Sequence, residues 1–160
     1  MENKLKIYLD TSVISHLDAP DASEKMADTL QLWKILKTGK HKVFLSQTTL
    51  DELAACPEPK GSRLAGFLDE IPYTKLPSND TVMAIAEKFI DFGVLKQKNY
   101  ADCLHIAAAI VGECDIILSW NFKHIVNHKT IVGVKAVTLL EGRREILIYA
   151  PSMLTGGEND

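Results

Sequence analysis

Four oxygen-bearing side chains lie at positions of this sequence where a protein with a β-sheet most often has its catalytic or binding residues. Asp10 ends a short apolar run, LKIYLD, and passes directly into hydroxyl residues. Glu52 lies one turn inside a predicted helix, Asp102 lies in the first turn of another, and Asn121 follows a later apolar run. Ligands of open α/β sheets bind outside the carboxyl ends of the strands, so these side chains are candidates for one shared site.

The chemistry of such a group is that of a hard metal ion. Carboxylates gathered at one edge repel each other and raise each other's pKa, so the group is stable at neutral pH chiefly when a divalent cation compensates it. Oxygen-only ligands suit Mg²⁺ or Mn²⁺. We therefore expect Asp10, Glu52 and Asp102 to bind one of these ions. From the first stretch alone, an equally good interpretation is that Asp10, Thr11 or Ser12 only caps the next helix.

The elements that must position these residues alternate between strands and helices, which favours an α/β domain. Strands are predicted over 5–9, 42–46, 73–76, 115–119 and 145–149, and helices over 12–17, 22–38, 48–55, 62–71, 81–92, 100–112 and 128–141. The first run is unbroken enough for a strand covered on both faces, as in a parallel sheet. We expect one domain over 1–150 and a frayed tail over 151–160.

Composition narrows the function class. A chain of 160 residues with 46% hydrophobic content can build one core of its own. The net charge of −3 excludes a general polyanion binder, so any nucleic-acid site must be local. A basic rim is conceivable at two places, although a solvated face is the default interpretation of both. These two groups are Lys34, Lys37, Lys40 and Lys42, and Arg143 with Arg144.

The expected location is the cytoplasm. The three cysteines form no C-x-x-C pair, which is typical of free thiols in a reducing compartment. The N-terminal residues MENKLK lack the apolar core of a signal peptide, and no run approaches the roughly 20 apolar residues that span a bilayer. We expect no membrane association.

Taken together, the motifs resemble the PIN-domain family of metal-dependent nucleases, especially the VapC-like toxins of toxin-antitoxin pairs. The resemblance runs from residue 6 to about residue 123. YLDTSVIS carries Asp10, TTLDEL carries Glu52 and YADCLHIAAA carries Asp102. ILSWNFKHI occupies the position of the family's hydroxyl-x-acid motif with Ser119 and Asn121. Each motif is weak alone, but four of them in this order are fairly specific.

The resemblance implies a fold, an activity and partners. The fold would be a three-layer α/β/α domain with a mainly parallel sheet in the order 3-2-1-4-5. The activity would be endonucleolytic cleavage of RNA with Mg²⁺ or Mn²⁺, leaving 5′ phosphates. The partners would be RNA, a possible cognate antitoxin and a second copy of the chain. Catalysis would rest on Asp10, Glu52, Asp102 and Asn121.

Asn121 departs from the family pattern, which usually has aspartate there. An amide oxygen can still bind a cation or a metal-bound water, but one negative charge is lost and binding of a second ion becomes doubtful. A rival interpretation is therefore a weakened PIN-like module that binds RNA or protein. A phosphotransferase of the haloacid-dehalogenase kind is a remoter rival, because Ser12 stands where its second aspartate should be.

Several neighbours of the acids have two interpretations each. We expect Thr11, Ser12 and Ser119 to orient ligands or waters. His105 either supports the site and contacts substrate or packs in the core. Trp120 either stacks on a base or seals the core. Asp51 is interpreted as solvated and Asp115 as structural. His124 and His128 are spaced like a zinc pair but lack a further ligand, so we discount a zinc site.

Overall fold

The computed structural model describes residues 4–155 and confirms the three-layer α/β/α architecture. All strand pairings in this range are parallel, and the sheet order is β3-β2-β1-β4-β5, as the resemblance implies. The strands are β1 (Lys6–Leu9), β2 (Lys42–Ser46), β3 (Thr74–Leu76), β4 (Ile116–Leu118) and β5 (Leu147–Tyr149). The carboxyl ends of β1, β2 and β4 therefore meet at one edge.

Eight α-helices cover the two faces of the sheet within residues 4–155. They are α1 (Thr11–Ser15), α2 (Ser23–Lys37), α3 (Gln47–Ala54), α4 (Lys60–Leu68), α5 (Asp80–Asp91), α6 (Tyr100–Val111), α7 (His128–Leu140) and α8 (Pro151–Thr155). Helices α5, α6 and α7 pack on one face, and α1, α2, α4 and α8 pack on the other. Short 3-10 turns lie at His16–Asp18, Pro20–Ala22 and Gln97–Asn99.

The central strand β1 is buried on both faces, as its unbroken apolar run predicts. Ile7 and Leu9 belong to the core beside α1 and α2, while Tyr8 between them belongs to the core beside α5 and α6. Tyr8 is in register with Phe44 of β2 and Ile117 of β4. This alternation is the period-two pattern of a strand. Successive side chains of β1 therefore face the two helical layers in turn.

Two helices begin directly after strands because polar side chains cap them there. The carboxylate of Asp10 accepts a hydrogen bond from the Val13 backbone N–H, so α1 starts at the exit of β1. The Ser46 hydroxyl accepts one from the Thr49 N–H, so α3 starts at the exit of β2. Glu52 on the second turn of α3 is thereby held near the exit of β1.

The prediction of a frayed tail over 151–160 is wrong for residues 151–155. Residues 151–155 form α8, where Pro151 and Thr155 are buried and Leu154 packs against the core beside α2. A proline in the first turn suits a helix start, and the apolar contact of Leu154 holds the short helix in place. Residues 156–160 lie outside the described residues.

Both predicted basic groups lie away from the candidate acids. Lys40 and Lys42 flank the start of β2, and Arg144 contacts the carboxylate of Asp115, which precedes β4. In a parallel sheet the amino ends of all strands lie at the opposite edge from their carboxyl ends. These cations therefore do not border the candidate site.

Helix α7 approaches the segment before α6 unusually closely at Gly133. A Cβ atom built on Gly133 would lie 2.6 Å from Cγ2 of Val94. Only a glycine at this position leaves room for the buried Val94 side chain. Within residues 4–155, no helix is long and apolar enough to cross a membrane.

Candidate active site

Asp10 is the most deeply buried of the predicted acids, with 3% of its surface exposed. Its Oδ1 accepts hydrogen bonds from the Ser12 hydroxyl at 2.6 Å and from the Val13 N–H at 3.2 Å. Its Oδ2 accepts one from the Ser119 hydroxyl at 2.5 Å. Asp10 therefore caps α1 and also joins the exit of β1 to the exit of β4, so capping is only part of its role.

Glu52 reaches the same edge from α3 and is oriented by two donors. Its Oε1 accepts hydrogen bonds from the Thr11 hydroxyl at 2.7 Å and from Nε2 of His105 at 2.6 Å. The other ring nitrogen of His105, Nδ1, lies 2.7 Å from the hydroxyl of buried Tyr8. Nε2 donates to the carboxylate, and Nδ1 shares a hydrogen bond with the Tyr8 hydroxyl, so both ring nitrogens have partners.

His105 therefore supports the site from the core. Only 2% of its surface is exposed, which agrees with a packed histidine and leaves it out of reach of a substrate phosphate. Its contact with Glu52 combines the two sequence interpretations, since the ring is both packed and bonded to a predicted ligand. A role for His105 near the site was already indicated by its position one helical turn after Asp102.

Asp102 contacts the site through Asn121 and His124. Nδ2 of Asn121 donates to Oδ1 of Asp102 at 3.4 Å, and Nδ1 of His124 lies 3.3 Å from Oδ2 of Asp102. The Asn121 backbone N–H donates to the Ser119 hydroxyl at 2.9 Å. A continuous chain of contacts thus joins Asp102 to Asp10 through the loop after β4. Sequence reasoning gave His124 no role here.

The pKa values of the three acids are shifted in different directions. Burial raises the pKa of Asp10, and the hydroxyl donors Ser119 and Ser12 offset part of that rise. Burial also raises the pKa of Asp102, an effect to which the negative charges of Asp10 and Glu52 add. The hydrogen bond from His105 lowers the pKa of Glu52. Burial is thus the main cause of the rise at Asp102, and the charges of Asp10 and Glu52 add to it.

This donor set fits Mg²⁺ or Mn²⁺ in chemical type, because it offers carboxylate oxygens without sulfur. The mutual repulsion of the acids favours a cation at this edge. Among residues 4–155, however, no three acidic, histidine or cysteine side chains are gathered into a ready metal-ligand cluster. The oxygens of Asp10 and Asp102 are instead bonded to protein donors.

An aromatic and cationic surface that sequence reasoning missed lies beside the loop after β4. Phe122 is 47% exposed, its ring packs edge-on against Trp120, and Nζ of Lys25 lies 5.4 Å from its ring centre. Trp120 is buried and its Nε1 donates to the Thr29 hydroxyl at 2.9 Å, so it seals the core and cannot stack on a base. Lys25 and Phe122 are too far apart in sequence for any local pattern to pair them.

The structural roles given to other polar residues are confirmed. Asp51 is exposed and bonds Gln47 on its own helix. Asp115 accepts hydrogen bonds from the Lys6 N–H and from Arg144 at the amino end of its strand. Asn121 is partly buried, and its Oδ1 accepts a hydrogen bond from the His124 N–H.

The fold has a solved counterpart. The chain is similar to a chain in the crystal structure of VapBC2 from Rickettsia felis bound to a DNA fragment from their promoter, with 12% identity and a TM-score of 0.56. The similarity covers 91% of this chain and 98% of that one. The fold is PIN-like. No protein-family model matches the chain, and no curated protein matches it.

Proposed function

We propose that this protein is a Mg²⁺- or Mn²⁺-dependent endoribonuclease of the PIN-domain type that leaves 5′ phosphates. The observation that carries the proposal is the network at the carboxyl edge of the sheet, in which Ser119 and Asn121 join Asp10 to Asp102. Glu52 lies beside it, joined to the exit of β1 through the hydroxyl of Thr11. The three acids come from separate elements at the edge of the sheet where α/β folds bind ligands.

Asp10, Glu52 and Asp102 would hold the cation, and their supports determine how each behaves. A bound cation supplies positive charge that activates water and stabilises the leaving oxygen of the phosphodiester. Glu52 stays ionised because His105 lowers its pKa, and its 41% exposed side chain can accept a hydrogen bond from an attacking water. Ser12 and Ser119 fix the Asp10 carboxylate in one orientation.

The test is cleavage of a labelled single-stranded RNA in Mn²⁺, with the fragment ends identified by mass spectrometry. Asp10→Asn, Glu52→Gln and Asp102→Asn should each slow cleavage by at least about 100-fold, because charge stabilisation worth several kcal/mol is lost. Asp51→Asn is the matched control, since it removes the same charge one residue from Glu52 on an exposed position. Equal rates in parent and Asp10→Asn would refute the assigned site.

A second candidate is a PIN-like module that binds RNA or protein and cleaves poorly. It is favoured by Asn121, whose amide contributes no negative charge and donates a hydrogen bond to Asp102. The same RNA assay separates the two functions, since this candidate binds the strand without producing fragments at any Mn²⁺ concentration.

The proposed partners follow from the toxin type of the resemblance. An antitoxin protein and a second copy of the chain are both proposed, and exposed apolar side chains at the end of α7, Leu139 and Leu140, support the presence of a covering partner. Light scattering after size exclusion measures the oligomeric state directly. A monomer at all concentrations would leave the antitoxin as the partner to test.

A further inference from the structure

A pocket of about 210 Å³ lies between the segment that precedes α6 and the start of α7. Four lysines line it, and we call it the lysine pocket. They are Lys96 and Lys98 from the first segment, and Lys123 and Lys129 from the second. All four are exposed, and none of them was among the cations that the sequence suggested as a basic rim.

The lysine pocket shares a wall with the candidate acid site. His124 lines the pocket, and its Nδ1 lies 3.3 Å from Oδ2 of Asp102. Asn99, also in the wall, places its Nδ2 3.3 Å from Nε2 of the same histidine. A strand lying in the pocket would therefore be separated from Asp102 by the side chain of His124.

The charge of the lysine pocket is uncompensated by the residues that line it. None of its lining residues is acidic. Among the described residues the four lysines make no ion pair, whereas His124 of the pocket wall contacts the carboxylate of Asp102. Two helices also begin at its wall, α6 after Asn99 and α7 after Asn127. Helix amino ends carry partial positive charge, and that of α7 adds to the attraction for anions, whereas Asp102 in the first turn offsets that of α6.

We propose that the lysine pocket binds the phosphate backbone of single-stranded RNA whose scissile bond lies at the acid site. The inference rests on the proposed function for the identity of the ligand. Four separate ammonium groups around an open pocket act as mobile point charges, which suits a flexible chain of phosphates better than one fixed anion. The pocket would hold the strand without reading its sequence.

The test measures binding without cleavage, by fluorescence anisotropy of a labelled RNA decamer in EDTA. Lys123→Gln combined with Lys129→Gln should weaken binding about tenfold at 0.1 M salt. It should also flatten the plot of log affinity against log salt by about 1.4, because each lysine contact to a single strand contributes about 0.7. These side chains are exposed, so the melting temperature should not change.

The matched control removes the same charge from the other end of the sheet. Lys34→Gln combined with Lys40→Gln changes two exposed lysines near the end of α2, and it should leave affinity and salt slope unchanged. Equal weakening by the two double variants would overturn the proposal, since only net charge would then matter. A polyglutamate peptide of equal charge that competes as well as RNA would also overturn it, in favour of an acidic protein segment.

Because the assay is run in EDTA, the two proposals fail separately. Lysine-dependent binding without any cleavage in Mn²⁺ would support the pocket and refute the ribonuclease. Cleavage that depends on Asp10, together with binding that ignores Lys123 and Lys129, would refute the pocket alone.

Discussion

Asn121→Asp is the substitution whose effect the structure predicts most sharply. It replaces the amide that donates to Asp102 with a carboxylate, which places two negative oxygens about 3.4 Å apart. The Coulomb repulsion is about 5 kcal/mol at an effective dielectric of 20 and about 1 kcal/mol in water. Both side chains are partly exposed, so we expect a net loss of about 1–2 kcal/mol in the free energy of unfolding. This corresponds to a melting temperature about 2–8 °C lower in EDTA.

Mn²⁺ should reverse that loss. The added charge lies beside a predicted metal ligand, so the substitution should tighten Mn²⁺ binding about tenfold, or about 1.4 kcal/mol. The melting temperature of Asn121→Asp should then rise more steeply with Mn²⁺ than that of the parent. Calorimetric titration gives affinity and stoichiometry independently of any cleavage.

Asn79→Asp provides the matched control for this substitution. Asn79 caps α5 by accepting from the Val82 N–H, and an aspartate keeps that hydrogen bond while adding the same charge away from the acids. It should change the melting temperature in EDTA by no more than about 1 °C, and it should leave the Mn²⁺ affinity unchanged. If Asn121→Asp behaves like this control, the side chain does not face Asp102 and the assigned geometry is wrong.

Three other variants test separate parts of the site. Burial raises the pKa of Asp10, so the folded state binds the extra proton and loses stability as pH rises above about 4. The stability of Asp10→Asn relative to the parent in EDTA should therefore grow as pH rises above about 4, and a constant difference in thermal melts would contradict this. Tyr8→Phe leaves Nδ1 of His105 unpaired and should cost about 1–3 kcal/mol in urea unfolding; an unchanged midpoint would refute the contact. Phe122→Ala should weaken RNA binding by about 1–3 kcal/mol through lost stacking, whereas Leu139→Ala should not.

The sheet could be predicted because each of its strands is a local pattern. The run before Asp10 and the run before Ser119 are continuous and apolar, and such runs belong to strands buried on both faces. Their order in the sheet came from the resemblance. Helix α8 was missed because five residues give too little periodicity to detect, and its stability comes from contacts with the core beside α2.

The site was only partly predictable, since order along the chain does not report how side chains meet. The exits of strands predicted where Asp10 and Asn121 lie. They could not show that Nδ2 of Asn121 would face Asp102, or that His124 would bond the same acid. The lysine pocket was missed for a similar reason, because Lys96 and Lys123 come together only when α6 and the loop after β4 are in place.

The close approach at Gly133 allows a residue outside the lysine pocket to affect the shape of that pocket. A Cβ atom at Gly133 would clash with both methyl groups of Val94, so any larger residue there requires Val94 or α7 to shift. Lys129 lies on the α7 side of that contact, and Lys96 lies on the other. Because Val94 itself lines the lysine pocket, a larger residue at Gly133 would act on the pocket through Val94. A substitution at Gly133 would therefore change how tightly the pocket binds an RNA strand, while every charged side chain stays the same.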